Sequence, residues 1–213
     1  MSKSNRVSMP SIRRLPRYYR FLKELQNNGV TRISSMELAD RMGLTASQIR
    51  QDFNRFGDFG QQGYGYNVEN LVQKIGEILG LHRRSKCILI GAGNLGKALI
   101  NQMNFEELGF ELVGAFDISP DVIGQVINGY TVLDYANVGE FCVQHHPEMA
   151  ILCVPRNAAE AVASKLFFLD ITCFWNFSHK DISLTHKNIL VENVHLNDSL
   201  MTLSYNLSQQ KQK

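Results

Sequence analysis

Two groups of residues in this 213-residue chain could do chemistry. The first is the run Gly91-Ala92-Gly93-Asn94-Leu95-Gly96, which follows at once on the apolar Cys87–Ile90. In a G-x-G-x-x-G turn between strand and helix, Gly91 permits the tight turn, Gly93 lets the backbone approach a pyrophosphate, and Gly96 lets helix and strand pack closely. The N–H groups that open the following helix can then hold phosphates. Asp117 ends a second apolar run, 26 residues after Gly91. A carboxylate near that interval accepts both hydroxyls of a ribose and repels a 2′-phosphate. With Ile118 beside it, this predicts NADH and NAD⁺ as ligands in preference to their phosphorylated forms. The plainer reading of Asp117 is a turn residue before Ser119-Pro120.

The second group lies in the first third. Ser47, Gln48, Arg50, Gln51, Asn54 and Arg55 share a segment with Ile49, Phe53 and Phe56, whose spacing puts the apolar residues on one helical face. Arg, Gln and Asn are the side chains that bond bidentately to base edges in a major groove. A short helix from Ser34 to Arg41 precedes this segment, with Met42-Gly43 as a tight turn. Ser34/Glu37 and Thr45/Gln48 both have capping-box spacing. Upstream, Arg13, Arg14, Arg17, Arg20 and Lys23 punctuate a helix with apolar Leu15, Tyr18, Tyr19, Leu22 and Leu25. Downstream, the glycines and aromatics of Phe56–Tyr66, including Gly63 and Tyr64, suit the hairpin wing of a winged helix, with a flexible linker as the alternative. A small helical bundle with a solvated polar face is the plain alternative for the whole third.

Charge supports two jobs. Residues 1–85 carry 14 Lys and Arg against 7 Asp and Glu, whereas residues 86–213 carry 8 against 13. The basic part suits a polyanion. No apolar run reaches a membrane span and the start is polar, so the cytoplasm is the expected location, with no membrane partner. The four cysteines, Cys87, Cys142, Cys153 and Cys173, lack C-x-x-C spacing, which argues against a metal site and for buried reduced thiols.

The elements that must position these groups read as a winged-helix unit over 1–80, ending in a connecting helix over 67–80, and a nucleotide domain over 86–195. Strands are predicted at 87–90, 111–117, 149–154, 172–176 and 188–192, with helices near 138–144 and 157–169. Alternating strands and helices imply an open parallel sheet. Val154-Pro155 and Asn176-Phe177-Ser178-His179 fall at strand ends where ligands bind in such sheets. No Tyr-x-x-x-Lys or dehydrogenase-like Lys/His/Asp set is present, so no catalytic residue is assigned; His179 alone stands where it could do chemistry, and His145-His146 reads as surface. The stretch 196–207 has apolar residues at helical spacing that cover its own sheet or a partner, and Ser208 to Lys213 reads as a frayed end.

The chain resembles the redox-sensing transcriptional repressor Rex family over nearly its whole length. The resemblance rests on Arg14-Leu15-Pro16-x-Tyr18-Tyr19-Arg20, Ser34-Ser35-x-Glu37-Leu38-Ala39, Phe56-Gly57-x-Phe59-Gly60-x-x-Gly63-x-Gly65-Tyr66-Asn67-Val68, the glycine run, Ala115-Phe116-Asp117, Val154-Pro155, Asn176-Phe177 and Val191-Glu192-Asn193-Val194. It implies an α/β chain: a winged-helix domain, a Rossmann-like parallel sheet domain and a domain-swapped C-terminal helix over 196–213. It implies a homodimer on palindromic double-stranded operator DNA, released by NADH, with NAD⁺ competing for the same site. It also implies a switch network containing Arg20. In that network the family usually has Asp where His195 stands and Tyr where Gln102 stands; elsewhere, its Asn-Phe-Ala-Pro near the nicotinamide reads Asn176-Phe177-Ser178-His179 here, and in the recognition helix Gln51 replaces a common Lys. The alternatives are a DNA-binding regulator whose NADH response is lost or altered, and an NAD-dependent oxidoreductase.

Overall fold

The computed structural model describes residues 9–56, 60–61, 64–184 and 188–210. It divides into two compact units, 1–83 and 84–213.

In the first unit, α1 (Met9–Asn27) buries Leu15, Tyr18, Leu22 and Leu25. It contains Pro16, which cannot donate the helical hydrogen bond to Ile12. A two-residue strand β1 (Arg32–Ile33) leads to α2 (Ser35–Met42). Ser34 and Glu37 form the expected capping box, and Gly43 closes the helix at φ +63, where a side chain would be strained. Helix α3 (Ala46–Phe56) begins where Thr45 Oγ1 accepts the Gln48 N–H. Strands β2 (Gly60–Gln61) and β3 (Gly65–Asn67) pair antiparallel, β1 joins the other side of β3, and the hairpin is the predicted wing. Asn67 then caps α4 (Val68–Leu79), the connecting helix, which ends at Gly80. One apolar core, including Leu15, Tyr18, Leu38, Ile49, Phe53, Leu71 and Ile75, serves the whole unit.

The second unit is a sheet of β4 (Ser85–Ile90), β5 (Phe110–Asp117), β6 (Val126–Ile127), β7 (Tyr130–Asp134), β8 (Met149–Leu152), β9 (Cys173–Asn176) and β10 (Leu190–Asn193). The strand order is β10-β9-β8-β4-β5-β7-β6, parallel except for β6. Between strands run α5 (Asn94–Gln102), α6 (Val138–His145) and α7 (Ala159–Phe167). Strands β4 and β8 are buried on both faces along most of their length, which is why they read as unbroken apolar runs.

Two features depart from the sequence reading. The β6–β7 hairpin was not anticipated; its two-residue turn is Asn128-Gly129, both at positive φ, as a type I′ turn demands. The closing helix α8 (Leu196–Gln210) continues past Ser208, where a frayed end was expected; no Gly or Pro interrupts the last turn.

Candidate functional site

The glycine loop occupies the expected place. After β4 the chain runs through α5 to β5 on one side; β8, the strand on the other side of β4, begins the half that runs on to β9 and β10. The gap between the carboxyl ends of β4 and β8 is therefore a switch point, where open α/β sheets bind ligands. Gly91 stands there at φ +94, and a Cβ on it would lie 2.5 Å from the Cys153 carbonyl oxygen. Only glycine fits, and the fit brings the loop against Cys153 and Val154. A Cβ on Gly96 would lie 2.1 Å from the Gly91 carbonyl oxygen, so that position too requires glycine.

Gly93 differs: a Cβ there would meet nothing within 4 Å. It caps α5 without a side-chain bond, and the first helical hydrogen bond is Lys97 N–H to Gly93 C=O. The N–H groups of Asn94, Leu95 and Gly96 thus have no acceptor inside the helix. An open, side-chain-free approach to a helix N-terminus fits a pyrophosphate.

Asp117 is more than a ribose acceptor. Its Oδ2 accepts the Ala92 N–H at 2.7 Å, and its Oδ1 accepts the N–H groups of Ile118 (2.8 Å) and Ser119 (2.9 Å). One carboxylate therefore ties the glycine loop to the end of β5. Ile118 projects into solvent beside it, 79% exposed.

At the end of β9, Asn176 is fully buried. Its amide nitrogen donates to the Lys180 carbonyl (2.6 Å) and to Asn193 Oδ1 (2.7 Å), while its oxygen accepts from Ser178 N–H and Oγ. Asn176 thus shapes the loop rather than presenting its own amide to the crevice. Phe177 packs edge-on against Trp175 at 4.6 Å. His179 holds a left-handed φ of +57, is exposed, and its ring lies nearly parallel to that of His195, 5.9 Å away. Asp181 is held below the usual carboxylate range, chiefly by the Ser183 hydroxyl, with smaller help from Asn193 and the charge of His195.

Among the other residues singled out, Gln102 ends α5 opposite the glycine loop and lines a cavity of about 350 Å³ with Asn101, Met103, Asn128 and Tyr130. Arg20 belongs to the first unit, Gln102 and His195 to the second. His146 is exposed as expected, but His145 is half-buried and stacks on Phe141 at 4.0 Å. Among the described residues no group of three or more His, Cys, Asp or Glu side chains could hold a metal ion.

On the candidate nucleic-acid face, Ser47, Arg50, Gln51 and Asn54 of α3 are exposed, and Arg50 reaches Ser35 Oγ at 3.1 Å. Arg13 and Tyr64 are exposed; Gly63 lies outside the described residues. Three more of the arginines expected on this face also have partners inside the unit. Arg14 forms a two-pronged pair with Asp52, Arg17 donates to the Met42 carbonyl at the end of α2, and Arg55 donates to Ser11 Oγ. Asp52 escaped the sequence reading. Its signal was position: an acid next to Phe53 and three residues after Ile49, on the apolar face.

Comparison with known proteins matches both regions of the chain. Residues 6–54 match the family described as "Putative DNA-binding protein N-terminus", and residues 82–180 match "CoA binding domain". The redox-sensing transcriptional repressor Rex of Caldanaerobacter subterraneus subsp. tengcongensis is 51% identical over 99% of this chain and 94% of its own. That of Clostridium tetani is 44% identical over the full length of both. Among solved structures, RSP in complex with β-NAD⁺ and operator DNA superposes with a TM-score of 0.89 at 49% identity, covering 96% of this chain and 94% of that one. RSP in complex with β-NADH gives 0.88 at 46% identity, covering 97% and 96%.

Proposed function

The chain belongs to the redox-sensing transcriptional repressor Rex family, and from that premise we propose that it is a DNA-binding repressor governed by the NADH/NAD⁺ ratio of the cytoplasm. The observation that carries this reading is the conjunction, in one chain, of the open approach at Gly93 and the polar face of α3. Either dinucleotide would lie across the crevice between β4 and β8. Its pyrophosphate would meet the N–H groups of Asn94 and Leu95, its adenosine ribose Asp117, and its nicotinamide end the Val154-Pro155 and Asn176–His179 loops. Arg50, Gln51 and Asn54 would read base edges, with Arg13 and the wing at Tyr64 on the backbone. NADH releases operator DNA by preferring the non-binding form of the protein, as any ligand that shifts an equilibrium must.

The active species is proposed to be a homodimer on a palindromic operator. Leu196, Leu200, Leu203 and Leu207 lie at helical spacing along α8, each more than half exposed. A stripe of that size calls for a cover, and exchange of α8 between two copies supplies one. No described helix is long and apolar enough to cross a membrane.

A second reading, a DNA-binding regulator with an altered NADH response, is favoured by the His179–His195 stack. It puts two imidazole rings beside the proposed nicotinamide end and at the root of α8. Fluorescence anisotropy of a labelled palindromic operator, titrated at fixed salt with NADH or NAD⁺, decides between them. Release by NADH alone supports the redox switch; binding indifferent to both supports the second reading.

A further inference from the structure

Asp52 lies in the helix that carries the base-reading side chains, yet it is completely buried. A buried carboxylate is tolerated only when paired and hydrogen-bonded, and this one is. Its Oδ1 accepts from Arg14 Nη2 (2.6 Å), Ser11 Oγ (3.2 Å) and Gln48 Nε2 (3.4 Å). Its Oδ2 accepts from Arg14 Nε (2.7 Å) and the Tyr18 hydroxyl (2.8 Å). Four of these five donors belong to α1. Ser11 Oγ also accepts from Arg55, and the Tyr18 ring packs edge-on against Phe53 at 5.3 Å. Helix α3 is therefore held by α1 from one side.

At about 100° per residue, Ser47, Arg50, Gln51 and Asn54 project from the side of α3 away from Asp52. Apolar packing is non-directional and would allow α3 to roll in its seat. A bidentate Arg–carboxylate pair accepts one orientation only. A roll of about 20° moves a side chain on the helix surface by about 2 Å, most of the length of a hydrogen bond.

We propose that Asp52 is a positioning residue for DNA readout: the clamp from α1 fixes the rotation of α3 about its own axis, and so decides which base edges Arg50, Gln51 and Asn54 meet. The proposal rests on the DNA-binding reading above. Contacts to phosphates depend mainly on charge and tolerate such a roll, whereas contacts to base edges do not. Loss of the clamp therefore has a signature that loss of folding lacks: sequence preference falls while general DNA affinity remains.

The test uses the full chain and a duplex enriched from a random pool by the unsubstituted protein, with a scrambled duplex as control, in anisotropy titrations at one salt concentration. Asp52→Asn is expected to weaken binding to the enriched duplex at least tenfold, to leave the scrambled duplex within twofold, and to leave the NADH dissociation constant unchanged. Tyr18→Phe removes one donor and keeps the ring against Phe53; it is expected to lower the same preference a few-fold. If both variants keep the preference within twofold, the proposal fails. It also fails if Asp52→Asn weakens both duplexes in parallel with loss of the first unit's melting transition while Tyr18→Phe changes nothing. If the unsubstituted protein enriches no duplex, the DNA-reading assignment itself falls.

Discussion

The Ala92 N–H donates to Asp117 Oδ2 at 2.7 Å, so the residue that would meet the ribose also secures the loop that would meet the pyrophosphate. Under the proposed binding mode, two parts of one ligand would thereby be sensed through one carboxylate. Asp117→Ala removes the charge and the acceptor for three backbone N–H groups, at roughly 1–3 kcal/mol. NADH affinity, read by isothermal calorimetry, should fall about 10- to 100-fold. Operator binding without dinucleotide should not change; if it vanished, the division of labour between the two units would be wrong.

Gly93 and Gly96 make an internal contrast. Gly96→Ala forces a methyl to 2.1 Å from the Gly91 carbonyl, so the second unit should lose several kcal/mol of stability and melt earlier. Gly93→Ala meets nothing in the protein, so thermal melting should stay the same. Its NADH affinity should nonetheless drop at least tenfold, because the added methyl would stand where the proposed binding mode passes the phosphates. A Gly93→Ala protein that binds NADH normally would move the pyrophosphate elsewhere.

How far these sites were legible in the sequence depends on whether a residue acts locally. Gly91, Gly93, Gly96 and the Ser34–Glu37 capping box act on their neighbours in the chain, and their spacing reveals them; the Thr45/Gln48 pair forms only half of its expected box, because the Gln48 amide donates to Asp52 instead. Asp117 was half legible: its distance from Gly91 marked it, but its bond to Ala92 depends on β4 and β5 lying side by side. Asn176 was read as lining the crevice, yet its amide is consumed by Lys180, Ser178 and Asn193, the last of which arrives with β10. The β6–β7 hairpin was missed because two short strands around Asn128-Gly129 offer too few residues for an alternating pattern, though the Asn-Gly pair was itself a turn signal. Asp52 was missed because pattern reading assigns acids to the surface, and its donors in α1 come from 34 to 41 residues upstream.

Arg50 is the exposed cation at the middle of α3. Arg50→Ala should weaken operator binding by about 1–3 kcal/mol if it meets a base edge. If it meets a phosphate, the loss should be similar on every sequence and the salt dependence should become shallower by about one unit. NADH affinity should be untouched in both cases. Operator titrations across a salt series separate the outcomes, and an unchanged operator affinity would remove Arg50 from the interface.

The thiols should be chemically quiet. Burial, with a small contribution from Glu111, pushes the Cys87 thiol up to about 12, and burial alone does the same for Cys153. Cys142 and Cys173 are also shifted upward, first by burial. With little thiolate at neutral pH, alkylation by iodoacetamide should be slow in the folded protein and fast in denaturant. Rapid labelling of the native protein, followed by mass spectrometry, would instead point to reactive thiols.

Acid should loosen the first unit before neutral stability is reached. Burial alone would raise the Asp52 value, but the bonds from Arg14 and Tyr18 outweigh it and hold the carboxyl below the usual range. A group depressed in this way stabilises the fold above its unfolded value, about 4, and loses that contribution as pH falls through the folded value. Asp52→Asn should cost about 3 kcal/mol at neutral pH and flatten the acid limb of the melting curve. A parent and variant with parallel acid limbs would show that Asp52 does not govern it.

The parallel pairing of β4 with β8 sets an order of events in synthesis. Cys87 lies opposite Met149, and no nucleotide crevice exists until that partner strand has been made. The first unit, by contrast, gathers its whole apolar core from residues before 80. At about 5–20 residues per second, the ribosome takes on the order of 3–13 s to cover the interval from the end of one unit to the closing of the crevice. Each new chain thus assembles its DNA-reading half as a local affair and its dinucleotide cleft late, so a nascent molecule is an operator binder in the making before it has anything with which to measure the redox state.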